Sequence, residues 1–521
     1  MKKINSFFMS LAIATLMLFS SCTSVDDYAV MIPEDAAFVV KFDVMQMLLE
    51  SKIGVGDSGD LIKGQLDDFG DDIPDKMKEW LKAVVDDPDN IGVDISKPFF
   101  FYGVPSGEDQ LGFVGAVTDR EAFENTMKCW LGEYEDFEIE KEGDVSYIRL
   151  YSDVWAYDDS RFIYLDYDID YDYDDDLDWE VWERKKEETA IDLINEKFEA
   201  KKENSALAWV NFDKLLDDEG ECAMLVSWEN VLKGQRNFKA LIRDVKSLSI
   251  VEDVDVLLDV SVEKGEASLS LEMLSKTDEA EEYIARLNGL LEDISGTHFK
   301  NVDAKAIVAM AVGVNGEAVN AFLDEEKLDE LIKGEGGDEA SDILDIIPTI
   351  NGDATFALNS LTSDGVPEMT FFVSDSEKKV FKLLKDELAN DAQKKSSDYY
   401  VIEEDSDFPG AFGVEDETTY LVAGNERLKS VSEQLSASDF EGKKMFGRIY
   451  VDNLMNSPAV QELFKYNKTT LSSVKLLTDE IESIDFEGDF EKMELRVVMK
   501  DSGMNLLTLL TSIFEAHVSK L

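Results

Sequence analysis

A short unit of strand, acidic residue and helix recurs along the chain and limits the folds that it can adopt. In "AFVVKFDVMQMLLE" the alternating apolar residues from Phe38 to Phe42 predict a strand, Asp43 follows, and the next residues have a helical pattern. The unit returns around Asp213 in "AWVNFDKLL" and around Asp452 in "GRIYVDNLM". At each junction the carboxylate is predicted to cap the helix by accepting backbone N–H bonds at its positive end.

A second recurring unit is a hairpin followed by a helix. It occurs in "PFFFYGVPSGEDQLGFVGAVTDREAFENTM" and again in "GDATFALNSLTSDGVPEMTFFVSDSEKKVFKLL". Thr118 with Glu121, and Ser374 with Glu377, have the spacing of a capping box and are therefore predicted to start the two helices.

The order of these units along the chain predicts that the protein contains an internal duplication. One series covers residues 29–297, with a helical insertion at 56–97 and an acidic insertion at about 166–180, and a similar series covers 303–521, where Asn315 replaces the first aspartate. The predicted fold class is therefore α+β, with two tandem similar lobes of antiparallel sheets and helices packed on one face.

The first residues have the pattern of an export signal. Lys2 and Lys3 precede an apolar run that is too short to span a bilayer, and "SSC" ends at Cys22. We predict a lipoprotein signal peptide at 1–21, lipidation of Cys22 and a short tether at 22–28. The alternative is an ordinary export signal followed by an unmodified cysteine. A multiply acylated cysteine would anchor the protein stably to a membrane.

Charge and cysteine content exclude some classes of protein. The chain has 51 Lys+Arg and 113 Asp+Glu, a formal net charge of −62, so we predict no nucleic-acid partner. With 44% hydrophobic residues the chain can still build large cores. Cys129 and Cys222 are too few for a disulfide framework. Buried thiols are favoured, and a single bridge is the alternative.

Two segments, "YAVMIPEDAAFVVKFD" and "NIGVDISKPFFFYG", resemble a Bacteroidetes family of predicted envelope lipoproteins of unknown function. The resemblance implies localisation in the envelope at the outer membrane, and it brings no activity. Asp26 and Asp27, soon after the cysteine, are similar to signals for surface exposure. The residues that match the family pattern are Ile32, Pro33, Ala36, Asp43, Gly92, Asp94 and Pro98.

The sequence contains few groups typical of catalysis. His298 and His517 are its two histidines, and no zinc motif, nucleophile elbow or phosphate-binding loop occurs. We therefore predict no catalytic residue and no enzyme. A carboxylate-dependent hydrolase stays an alternative, because two carboxylates suffice for glycoside hydrolysis.

The tract "YLDYDIDYDYDDDLDWE" has aspartate at every even position from Asp166 to Asp178. In a strand these carboxylates would share one face, and the sixth position of an EF-hand loop lacks its glycine. Three interpretations stay open: a solvated strand end, a weak Ca²⁺ site and a partner-binding ribbon. The candidate metal ligands are Asp166, Asp168, Asp170, Asp172 and Asp174.

These patterns predict a lipid-anchored envelope protein that binds or scaffolds an unknown protein or glycan partner. No cofactor is expected beyond a weakly bound Ca²⁺. The alternatives are a carboxylate-dependent surface hydrolase or glycan-processing protein, and divalent-cation-dependent adhesion.

Overall fold

The computed structural model divides by contacts into two units. The first unit is Met1–Arg236 with Asp255–Ser261, and the second is Asn237–Val254 with Val262–Leu521. The division by contacts does not fall at residues 297–303, where the sequence predicts the boundary between two repeats. The duplication itself stays a prediction. Within the part of the chain that the structure describes, no helix is both long and apolar enough to cross a membrane. The described residues are 23–51, 75–105, 110–131, 139–150, 153–167, 179–234, 250–329, 332, 343–362, 367–388, 392–402, 409–424, 431, 433–466 and 470–511.

The longest helix of the described residues is Trp179–Phe198, with 20 residues, and the others have 12 or fewer. Those of the first unit are α1 Val25–Ala29, α2 Val44–Ser51, α3 Asp75–Asp86, α4 Arg120–Leu131, α5 Trp179–Phe198, α6 Phe212–Asp217 and α7 Trp228–Gly234. Those of the second unit are α8 Asp278–Asn288, α9 Gly316–Glu325, α10 Lys379–Leu388, α11 Val451–Met455, α12 Pro458–Tyr466 and α13 Thr470–Thr478.

The first unit contains an antiparallel sheet with the strand order β9-β8-β1-β2-β3-β7-β6-β5-β4. Successive side chains point to opposite faces of this sheet, and in the central strands β2 and β3 both faces are largely buried. The strands are β1 Phe38–Phe42, β2 Phe99–Val104, β3 Gln110–Ala116, β4 Ile139–Glu142, β5 Val145–Leu150, β6 Asp153–Tyr157, β7 Arg161–Tyr167, β8 Cys222–Ser227 and β9 Val254–Glu263.

The second unit has the matching order β20-β19-β12-β13-β14-β18-β17-β16-β15, again antiparallel throughout. Beyond β20 it continues with β21 and β10, and β11 pairs with β12. Its strands are β10 Glu266–Ser275, β11 Leu291–Glu292, β12 Val308–Asn315, β13 Ile350–Leu361, β14 Pro367–Asp375, β15 Ala392–Ser396, β16 Tyr399–Ile402, β17 Gly410–Glu415, β18 Thr418–Ala423, β19 Met445–Tyr450, β20 Ile481–Gly488 and β21 Lys492–Met499.

The α+β class and the antiparallel pairing are thus confirmed. In the first unit, helices pack on both faces of the sheet, whereas the sequence predicted helices on one face. Phe100 contacts Tyr28 of α1 and Phe212 of α6, whereas Phe123 of α4 stacks on Phe162. Phe100 pairs with Val114, and Val114 pairs with Ile163, so these three side chains share one face of the sheet. Phe162 is the neighbour of Ile163 in the same strand and therefore points to the other face. The two sets of helix contacts thus lie on opposite faces.

Helix caps follow the predicted residues only in part. Asp43 Oδ1 accepts the Gln46 N–H at 2.8 Å and caps α2, and Asn315 accepts the Ala318 N–H at 3.0 Å and caps α9. The two other junction aspartates are not caps, which corrects the prediction for Asp213 and Asp452. Each helix begins one residue before its aspartate, so both carboxylates lie in the first turn.

The two capping boxes are also corrected by one residue. Thr118 precedes the true cap: Asp119 Oδ1 accepts the Ala122 N–H at 3.0 Å, and α4 begins at Arg120. Ser374 and Asp375 are the last two residues of β14, and it is the Asp375 carboxylate that accepts the first N–H groups of α10, which begins at Lys379. Glu121 lies in the first turn of α4, and Glu377 pairs with Lys379 at 3.3 Å.

Asp375 is a far stronger cap than Asp119. Its carboxylate is fully buried and accepts the N–H groups of Lys379, Val380 and Phe381 at 2.9, 2.9 and 3.3 Å. The Thr419 hydroxyl donates to it at 2.9 Å. Because strand β18 supplies that hydroxyl, the cap also ties α10 to the sheet.

The residues of the "G-V-D…P" segment have structural roles. Gly92 adopts a left-handed φ of 82°, and a Cβ there would lie 2.2 Å from the Phe123 backbone N. Asp94 accepts a hydrogen bond from the Ser96 hydroxyl, and the Pro98 carbonyl accepts one from the Tyr28 hydroxyl. The segment therefore fixes the approach of β2 to α4 and α1.

Candidate functional site

A charged cavity of about 340 Å³ lies in the second unit. It is formed where the run before β19 meets the turn between β20 and β21. Side chains of both signs line it, together with two glycines. The lining residues are Gly442, Lys443, Lys444, Glu487, Gly488, Asp489, Lys492 and Glu494.

The turn that forms one wall is shaped by its own sequence. Asp489 Oδ1 accepts the backbone N–H groups of Glu491 and Lys492 at 2.8 and 3.0 Å, a local bond typical of aspartate in turns. A Cβ at Gly488 would lie 2.3 Å from the Lys492 carbonyl oxygen, so glycine is required for this close approach. The side chain of Asn288, at the end of α8, accepts the Phe490 N–H at 2.8 Å.

Glu487 is the most strongly paired group of the lining. It accepts hydrogen bonds from Lys443 Nζ at 2.8 Å and from Arg496 Nη2 at 2.7 Å. Lys443 Nζ also lies 3.7 Å from the centroid of the Phe446 ring, a cation–π contact. Lys444 Nζ donates to the Leu291 carbonyl at 3.0 Å. These contacts hold the wall before β19 in place.

A buried ion pair lies beside the cavity on the same strands. Arg448 Nε and Nη2 donate to the two carboxylate oxygens of Asp485 at 2.8 and 2.7 Å, and Nη1 donates to Asp439. The Asp485 side chain is 3% exposed. The hydrogen bond to Asp485 raises the pKa of Arg448 above its ordinary value, so the guanidinium stays charged.

A second polar cluster surrounds His298, whose ring is buried. Its Nδ1 lies 3.1 Å from the Thr355 hydroxyl, and its Nε2 lies 3.4 Å from the Ser374 hydroxyl. Asp353, also buried, accepts the Ser295 N–H and hydroxyl at 2.7 and 2.8 Å. Burial lowers the pKa of His298, whereas Asp353 acts in the opposite direction.

The predicted lipidation and metal residues can be placed only in part. Cys22 and the predicted ligands Asp168, Asp170, Asp172 and Asp174 lie outside the described residues. Asp166 lies near the end of β7, opposite Asp153. Among the described residues, no group of three His, Cys, Asp or Glu is arranged to hold a metal ion.

Cys129 and Cys222 are both free and therefore form no bridge, and both are partly exposed, which corrects the expectation of buried thiols. Sequence reasoning did not identify the cavity, because Lys443 and Lys444 come from one segment and Lys492 from another, far along the chain. The local signals that exist are "GKK" before β19 and "GDFEK" in the β20–β21 turn. Both also suit an ordinary solvated turn.

Three comparisons place the chain among known proteins. A family model described as a domain of unknown function (DUF4836) matches residues 28–507. No curated protein sequence matches the chain. Among solved structures, the chain is similar to the one titled "Structure of crystal form I of TP0453", at 12% identity and a TM-score of 0.25. That match covers 52% of this chain and 88% of that one.

Proposed function

The chain belongs to the family described as a domain of unknown function (DUF4836), and from this premise we propose that it is a lipid-anchored envelope protein that binds a small ligand in its charged cavity. The cavity is the observation that carries the binding half of the proposal. It gathers three lysines and three carboxylates at one place on a chain whose net charge is −62. Its volume lies within the range of small-molecule sites.

Binding rather than conversion is favoured by the chemistry of the lining. The eight residues of the lining offer ammonium and carboxylate groups, and no hydroxyl, thiol or imidazole is among them. Covalent catalysis by a hydroxyl, thiol or imidazole nucleophile therefore has no starting group in this lining. Glu487, one of the three carboxylates, already receives hydrogen bonds from two cations.

The anchoring half of the proposal rests on the amino-terminal sequence. The basic start, the short apolar run and Cys22 predict export and acylation, and localisation at the outer membrane, with surface exposure, is proposed with it. The partner outside the cytoplasm would be a protein or a glycan, since the acidic surface disfavours nucleic acid.

Metabolic labelling with an alkyne-tagged fatty acid tests the anchor. We expect the wild-type chain to take up the label and to fractionate with the outer membrane. A Cys22→Ser variant should take up none and leave the membrane fraction. A Cys129→Ser variant is the matched control and should label like wild type. An unlabelled wild-type chain would refute the anchor.

A carboxylate-dependent hydrolase is the second candidate, because Glu487, Asp489 and Glu494 share one cavity. Purified protein incubated with a panel of glycans would release reducing ends if this candidate were correct. Glu494→Gln would then abolish that release. Cation-dependent adhesion stays a prediction, because four of its five predicted ligands lie outside the described residues.

A further inference from the structure

Charges of both signs stay available in the cavity after internal pairing. Glu487 is satisfied by Lys443 and Arg496, so this trio forms a closed wall. Lys492 lies opposite Glu272 in register, yet no described carboxylate is within 4.0 Å of its ammonium group. Lys492 is therefore a cation that a ligand can pair with.

Two carboxylates of the cavity, those of Glu494 and Asp489, are also incompletely used. Glu494 Oε2 lies 4.0 Å from Arg496 Nε, which is beyond hydrogen-bonding distance, and that Nε is buried with no acceptor in the described residues. Asp489 uses the same oxygen, Oδ1, for both of its backbone N–H bonds. Glu494 and Asp489 can therefore accept hydrogen bonds from a ligand cation.

The charge of the whole chain selects further among ligands. A net charge of −62 repels a free anion before it reaches the lysines. A plain cation is attracted to the acidic surface everywhere, but inside the cavity it meets Lys444 and Lys492. A ligand with one charge of each sign and no net charge avoids both penalties.

From this we infer that the cavity binds a small zwitterion carrying a carboxylate and an ammonium group, as a short peptide does. The carboxylate would pair with Lys492 and Lys444, and the ammonium with Glu494 and Asp489. A volume of about 340 Å³ lies at the small end of the range of small-molecule sites, which suits a ligand as small as a dipeptide. The inference rests on the proposed function of ligand binding in this cavity.

Titration calorimetry on the full-length protein in detergent tests the inference. The probes are alanyl-alanine, its N-acetylated form, its carboxamide, phosphoethanolamine and maltose. We expect alanyl-alanine to bind at least about tenfold more tightly than either blocked form, because each loses one charged hydrogen bond. Maltose should bind no better than the blocked forms.

Two variants assign the ends of the ligand. Lys492→Ala should weaken alanyl-alanine binding by about tenfold and remove its advantage over the carboxamide. Glu494→Gln should remove its advantage over the N-acetylated form. Lys264→Ala is the matched control, because Lys264 is an exposed lysine in the β9–β10 turn. It should leave all affinities unchanged.

The outcomes distinguish between binding of a zwitterion, which is the inference, and binding of any ligand in the cavity, which is the proposed function. Equal binding of free and blocked peptides, or tighter binding of phosphoethanolamine, overturns the carboxylate–ammonium class while ligand binding in the cavity stands. No heat with any probe overturns both. Loss of binding in Lys264→Ala as great as in Lys492→Ala would place the site elsewhere and overturn the inference.

Discussion

The two units share one strand order but fill equivalent positions with different chemistry. Strand β1 lies between β8 and β2, and β12 lies between β19 and β13 in the same way. When the two units are aligned on these strands, Leu225 of β8 occupies the same position as Arg448 of β19. Its neighbour across the next strand is Leu257 in the first unit and Asp485 in the second. An apolar pair in one unit is therefore an ion pair in the other.

The difference continues at the cavity. The backbone N–H of Asp43 donates to the Glu221 carbonyl, and that of Gly313 donates to the Lys444 carbonyl, so these positions are also equivalent. The first unit carries Glu221 where the second carries a lysine of the cavity. The shared strand order is therefore compatible with either sign of charge at this position. In the second unit the position is a lysine, and it belongs to the cavity.

The largest expected effect comes from the ion pair. Arg448→Leu leaves Asp485 buried and without its bidentate partner, which should lower the free energy of unfolding by about 3–5 kcal/mol. Arg448→Leu with Asp485→Leu copies the first unit and should recover most of that loss. Amide hydrogen exchange over β19–β21 measures both. A double variant no more stable than the single one would show that the leucine pair cannot be transferred.

The two caps should differ next. Asp375→Ala removes an acceptor from three N–H groups and a hydroxyl in a buried site, and we expect a loss of about 2–3 kcal/mol. Asp119→Ala removes one bond at an exposed site and should cost about 1 kcal/mol or less. Urea denaturation of the two variants makes the comparison. Equal losses would contradict the role of Thr419 in tying α10 to its sheet.

The smallest effect should depend on pH. Burial lowers the pKa of His298 in the folded chain, so below its ordinary value near 6.5 the unfolded chain binds a proton that the folded chain does not. Stability is therefore complete above pH 6.5 and falls below it, by at most about 1.4 kcal/mol per pH unit. His298→Phe should lack this part of the slope between pH 7.5 and 5.5. Parallel curves for wild type and variant would refute it.

Sequence patterns were sufficient for the fold class and for most elements, because alternation and helical periodicity are local properties. The strand predicted before Asp213 was wrong, since Ala206–Ala208 form a 3-10 turn and α6 follows at Phe212. The caps were misplaced by one residue, since Thr118 and Asp119, like Ser374 and Asp375, are adjacent residues that can both cap a helix. The start of α4 is positioned by a tertiary contact, because the Gly92 carbonyl accepts the N–H groups of both Thr118 and Asp119. The cavity and the polar contacts of His298 depend on strand pairing, which no single segment reveals.

Strand β10 pairs with β21 inside the second unit. A gene fragment that starts at residue 303 would therefore encode a sheet with a missing border. The unpaired N–H and C=O groups of β21 would be open to strands of other molecules, and such a fragment would be expected to aggregate.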